Sequence, residues 1–154
     1  MVNYKFYSVI CCLLFLASCN RKVELAPNSS FGYENLTDSY NSKTNIFERK
    51  YSDDTIKIKI ILTENERKKI LEVFSTNKFQ SFPHEIDCSK WGVNPKIYDN
   101  LFLNNFSVKY THNSDDTWFC PNGKRFGKIN ATIEYIILNK PEIKKIESSD
   151  IAYE

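Results

Sequence analysis

The sequence predicts an α+β domain: an antiparallel sheet of about four strands with two helices, in the order ββ-α-ββ-α, and one disulfide. Three observations carry that prediction. Thr55-Ile56-Lys57-Ile58-Lys59-Ile60 alternates aliphatic and polar side chains without a break, the period of a half-buried strand with one wet face. Two later stretches place their apolar residues at helical spacing. Strand pairs separated by helices favour an antiparallel sheet with its helices gathered on one face. The order of the strands within the sheet does not follow from any of these.

The domain is expected over residues 45–154, and each element has its own reason. Ile46 to Tyr51 reads as a strand, and Ser52-Asp53-Asp54 supplies turn chemistry before the alternating strand, so the two form a hairpin. Thr63 and Glu66 make an S/T-x-x-E capping box, in which each side chain satisfies a backbone donor near the other. Ile70, Leu71 and Phe74 then form the apolar stripe of a helix that frays near Thr76-Asn77, leaving Lys68, Lys69 and Glu72 to water. Ser81 to Pro95 is a long polar connection carrying His84, Cys88 and Trp91, and loops of that length are functional or stapled. Ile97 to Leu103 and Phe106 to Thr111 flank Asn104-Asn105, a pair suited to a tight hairpin because Asn tolerates positive φ. After Asn122-Gly123, Phe126, Ile129, Ile133, Ile136 and Ile137 share one helical face. Pro141 ends that helix, and Glu142 to Glu147 reads as a last helical turn.

Residues 19–44 are expected to be a tether. Asn20 to Thr44 is rich in Asn, Ser and Thr and keeps no sustained period. A flexible segment of that length spans roughly 25–30 Å root-mean-square. Phe31, Tyr33, Leu36 and Tyr40 give it the means to dock on the domain.

The N-terminus has a different logic. Lys5 is followed by an almost wholly apolar run from Phe6 to Ala17, then small residues, a cysteine and the polar Asn20-Arg21-Lys22. That is the layout of a secretory signal, and the run is short of the ~20 residues a spanning helix needs. Leu16-Ala17-Ser18-Cys19 resembles the lipobox of bacterial lipoproteins, and the chain resembles small Gram-negative envelope lipoproteins. The resemblance implies a signal peptide over residues 1–18, a lipidated Cys19, and membrane lipid as a partner through that residue. Asn rather than Asp after Cys19 implies, by analogy with lipoprotein sorting, the outer membrane, facing either the periplasm or the cell surface.

Charge and cysteine usage narrow the partners. The chain has 21 basic and 19 acidic residues; removal of residues 1–18 takes away Lys5 and no acid, leaving 20 against 19. Near-neutrality argues against nucleic acid, which calls for a basic patch or high pI. Cys11 and Cys12 leave with the signal and Cys19 takes the lipid, so Cys88 and Cys120 remain as an even pair, read as a disulfide in an exported protein.

Candidate chemistry is sparse. His84, Cys88, His112 and Cys120 contain the ligand types of a zinc site at an uncommon spacing, and a Cys–His nucleophile pair can be written from the same residues. A structural disulfide is favoured over both, so neither a metal nor a cofactor is expected and no catalytic residue is assigned. Asp53-Asp54 and Asp115-Asp116 read as turn residues. No phosphate-cradling, nucleophile-elbow or HExxH motif occurs. Trp91, Tyr98, Trp118 and Phe119 flank the two cysteines, either as packing for the disulfide or as an aromatic contact surface for a partner. The sequence is therefore read as a non-enzymatic, lipid-anchored binding protein for an envelope protein. An inhibitor or immunity-type lipoprotein that blocks a hydrolase or toxin, and a Cys/His-dependent envelope enzyme, are the alternatives.

Overall fold

The computed structural model describes residues 24–92, 94–113 and 120–152. Strands β1 (Phe31–Glu34), β2 (Asp38–Asn41), β3 (Ile46–Lys50) and β4 (Thr55–Lys59) lead into helix α1 (Glu64–Thr76). A 3₁₀ turn at Phe79–Ser81, strand β5 (Glu85–Asp87), the hairpin β6 (Ile97–Leu103) and β7 (Phe106–His112), helix α2 (Pro121–Leu138) and a 3₁₀ turn at Ile143–Lys145 complete the chain. The sheet order is β4-β3-β2-β1-β6-β7-β5. All pairings are antiparallel except β5 with β7.

Register sorts the side chains onto two faces. Ile58, Phe47, Tyr40, Tyr33, Leu101 and Val108 stand opposite one another in a single row across six strands. Both helices lie against this face. α1 contributes Ile70, Leu71 and Phe74, and α2 contributes Phe126, Ile129, Ile133, Ile136 and Ile137. Phe31 meets Phe74 at 6.2 Å between ring centroids, Phe74 meets Phe79 edge-on at 4.9 Å, and Tyr110 meets Phe126 at 5.0 Å. Each fully buried side chain of this size contributes about 1.5–3 kcal/mol. The opposite face is wet, with Lys57 bridged to Glu48 at 2.8 Å.

The α+β class and both helices agree with the sequence reading; the strand count does not. Seven strands form a mixed sheet, where about four antiparallel ones were expected. Two of the extra strands, β1 and β2, come from the stretch expected to be a tether, so the folded body reaches well upstream of Asn45. Phe31 and Tyr33, and Asp38 and Tyr40, do alternate at strand period, but each run is only four residues long within Asn/Ser/Thr-rich surroundings. Burial decides the matter, since Phe31, Tyr33 and Tyr40 are at most 1% exposed. The third, β5, occupies three residues of the long connection, held in parallel register against β7. The capping box forms as expected, with Glu66 N donating to Thr63 Oγ1 and Thr63 N to Glu66 Oε2.

Candidate binding surface

The loop after β5 is tied at Cys88, Ser89, Lys90 and Pro95. Cys88 and Cys120 lie at disulfide distance, their Cα atoms 6.1 Å apart, which links the end of β5 to the start of α2. Cys88 N also donates to Thr111 O at 2.8 Å. Ser89 donates twice to Asp87 Oδ1, from N at 2.8 Å and from Oγ at 2.6 Å. The side-chain bond and then the backbone bond hold the Asp87 carboxyl below its usual range. From beneath, the buried Asn113 accepts from Lys90 N at 2.6 Å and donates to Pro95 O at 3.2 Å. Gly92 takes a positive φ of 75°, a conformation that glycine adopts without a Cβ penalty.

On this pinned loop Trp91 is 100% exposed. Its indole is therefore not packing for the disulfide. Tyr98, on β6, is 44% exposed on the wet face of the sheet, with Lys109 Nζ 4.7 Å from its ring centroid. A depression beside it is lined by Glu34, Asn35, Leu36, Lys50, Tyr98 and Asn100. Lys50 Nζ and Glu34 Oε1 pair across 3.3 Å there. Trp118 and Phe119 lie outside the described residues, as do Asp115-Asp116 and the lipobox with Cys19.

The two histidines have separate partners. His84 Nδ1 is 3.0 Å from Ser107 O, and its ring lies against Phe106. His112 Nε2 is 3.1 Å from Asp99 Oδ2, and the imidazole stacks on Tyr110 at 4.7 Å. Among the described residues no group of three or more His, Cys, Asp or Glu is placed to hold a metal ion. Asp54 behaves as a turn residue, accepting from Thr55 N at 2.6 Å. Among the described residues, no helix is long and apolar enough to cross a membrane.

A second constellation has no counterpart in the sequence reading. Beyond the apolar row, the helix-facing side of the sheet turns polar. Asp38 on β2 stands opposite Arg49 on β3, and the guanidinium grips the carboxylate from Nε at 2.7 Å and Nη2 at 2.6 Å. That hydrogen-bonded partner raises the Arg49 pKa. Asp99, on β6, pairs with His112. α2 lays Glu134 over this patch, where Glu134 Oε1 accepts from Asn35 Nδ2 at 3.0 Å. The signal was present in the sequence: Asn130 and Glu134 follow Ile129 and Ile133 by one residue, so both border the buried stripe.

No protein-family model, curated protein or solved structure matches the chain.

Proposed function

We propose that the chain is a lipid-anchored envelope lipoprotein whose domain is a non-enzymatic binding module, with the Cys88–Pro95 loop and the adjoining face at Tyr98 as its contact surface for an envelope protein. One observation carries the reading: a fully exposed Trp91 on a loop tied at Cys88, Ser89, Lys90 and Pro95. Tryptophan is enriched at interface hot spots, and backbone tied before association lowers the ordering cost of binding. The lipid anchor rests on Leu16-Ala17-Ser18-Cys19, and the outer-membrane destination on Asn20.

The test compares affinity capture from detergent-solubilised envelope by the wild-type chain and by Trp91→Ala. The variant is expected to keep the wild-type thermal midpoint and lose most of its captured partner. Equal capture at equal stability places the contact surface elsewhere. Cys19→Ser, in parallel, is expected to abolish metabolic lipid labelling; retained labelling removes the anchor from the reading.

A further inference from the structure

His112 ends β7 beside the loop that carries Trp91, and each of its ring nitrogens faces an oxygen that only accepts. Nε2 lies 3.1 Å from Asp99 Oδ2 on β6, and Nδ1 lies 3.1 Å from Asn113 O. A neutral imidazole carries one N–H and one lone pair, so it satisfies one of these oxygens and turns a lone pair on the other. Only the imidazolium donates to both. Two further features favour the charged ring. The His112 and Asp99 side chains are 17% and 15% exposed, so the carboxylate has little water to balance its charge. Tyr110 stacks on the imidazole, with ring centroids 4.7 Å apart and planes within 14°, and so presents an electron-rich face to a cation. The buried Asn113 carries the effect outward. Its side chain accepts from Lys90 N at 2.6 Å and donates to Pro95 O at 3.2 Å, one on either side of Trp91. Asp99, His112, Asn113 and the loop are thus joined by a continuous run of hydrogen bonds.

We infer that His112 is a charge clamp on the Trp91 loop: as the imidazolium it holds Asp99 and the Asn113 carbonyl together, and on losing its proton it lets the carbonyl go. The released end follows from the strengths of the two acceptors. A neutral ring keeps its one N–H on the carboxylate, which leaves the Nδ1 lone pair facing Asn113 O. The described titratable and charged groups on the elements around the ring are Asp99 of β6, Tyr110 of β7, Asp87 of β5, Lys90 of the loop and Glu134 of α2, whose carboxyl interacts with Asp99. Asp99 is hydrogen-bonded to the ring and favours the cation. A histidine held charged in the fold contributes stability that is fully present below its unfolded pKa of about 6.5 and is lost as pH rises through the folded value. Mild acid therefore fixes the loop, and mild alkali frees it. Any consequence for binding rests on the contact surface proposed above; the clamp itself does not.

The experiment is a nitrogen-15 titration of the full chain from mildly acidic to mildly alkaline pH. Both His112 ring nitrogens are expected to be protonated at the acid end, with a midpoint above the ~6.5 of a free imidazole. The Lys90 amide and the Trp91 indole are expected to shift with that same midpoint. A His112 midpoint at or below ~6.5, or loop resonances that do not follow it, overturns the inference. Urea unfolding of the wild type against His112→Gln supplies a second reading. The wild type is expected to be the more resistant at the acid end, and the gap to close as pH rises; parallel profiles overturn the clamp. Capture by Trp91→Ala tests the contact surface separately, and its failure leaves the titration unchanged.

Discussion

Asp38 and Arg49 show how a single pair can hold one end of a sheet. Their side chains are 9% and 11% exposed, so neither charge has water to fall back on. Removing one partner of a buried pair costs on the order of 3–5 kcal/mol, because the survivor is left charged and uncompensated. Asp38→Ala is therefore expected to lower the unfolding free energy by about that amount, and Asp38→Ala with Arg49→Met to recover much of it. Urea denaturation of the two variants reads the difference. Gly32 is another residue with one solution. A Cβ there would collide with the Tyr40 carbonyl oxygen and the Phe102 ring, which covers the glycine from the neighbouring strand. Neither feature could be read in advance. Asp38 looked like tether chemistry until β2 placed it two residues from the buried Tyr40, and Arg49, within a strand that was expected, had no partner assigned until β2 paired with β3.

At the scale of elements, legibility follows the length and regularity of the pattern. α1 and α2, the β6–β7 hairpin and the β3–β4 hairpin were all readable, because each carries either a sustained period or a specific cap or turn. The Thr63–Glu66 box closed as read, and Lys140 adds a 2.6 Å ion pair to Glu66. β1, β2 and β5 were unreadable, since three or four residues complete too few periods to rise above polar neighbours. Their strand character is imposed by partners distant in sequence. The loop after Cys88 was half legible: the pairing of Cys88 with Cys120, found at disulfide distance, followed from cysteine arithmetic, while the β5 segment and the Asn113 support beneath the loop did not. A bridge between cysteines 32 positions apart would contribute about 3–4 kcal/mol by restricting the unfolded chain. Reduction is expected to lower the thermal midpoint. Intact-mass analysis of the natively purified protein is expected to show no free thiol at either position, and two free thiols there would contradict the bridge.

The whole molecule is knitted from the middle outward. β1 pairs with β2 on one side and with β6, some seventy residues further along, on the other. Among the described residues, every strand pairing between the N-terminal and C-terminal halves of the sheet passes through this strand. Deleting residues 24–44 is thus expected to abolish cooperative unfolding altogether, leaving the β3–β4 hairpin and the β6-β7-β5 strands with no shared sheet. A tether would be dispensable, and a truncated chain with a wild-type unfolding transition would show that it was. Circular dichroism during thermal unfolding separates these outcomes.

The packing of Leu25 against the core has a consequence for geography. Ser29 N donates to Ala26 O, Arg67 donates to Pro27 O and Ser29 O, and Leu25 packs on the apolar cluster, so the described folded body reaches to within six residues of Cys19. Six residues reach at most about 20 Å when fully extended. A domain of this size has a radius of gyration of about 14 Å. A lipid on Cys19 would then leave the domain a leash shorter than its own width. It would pivot on the bilayer instead of sweeping the space above it, and would meet only what comes to the membrane surface. For such a molecule, recognition is a two-dimensional encounter governed by which face is turned outward.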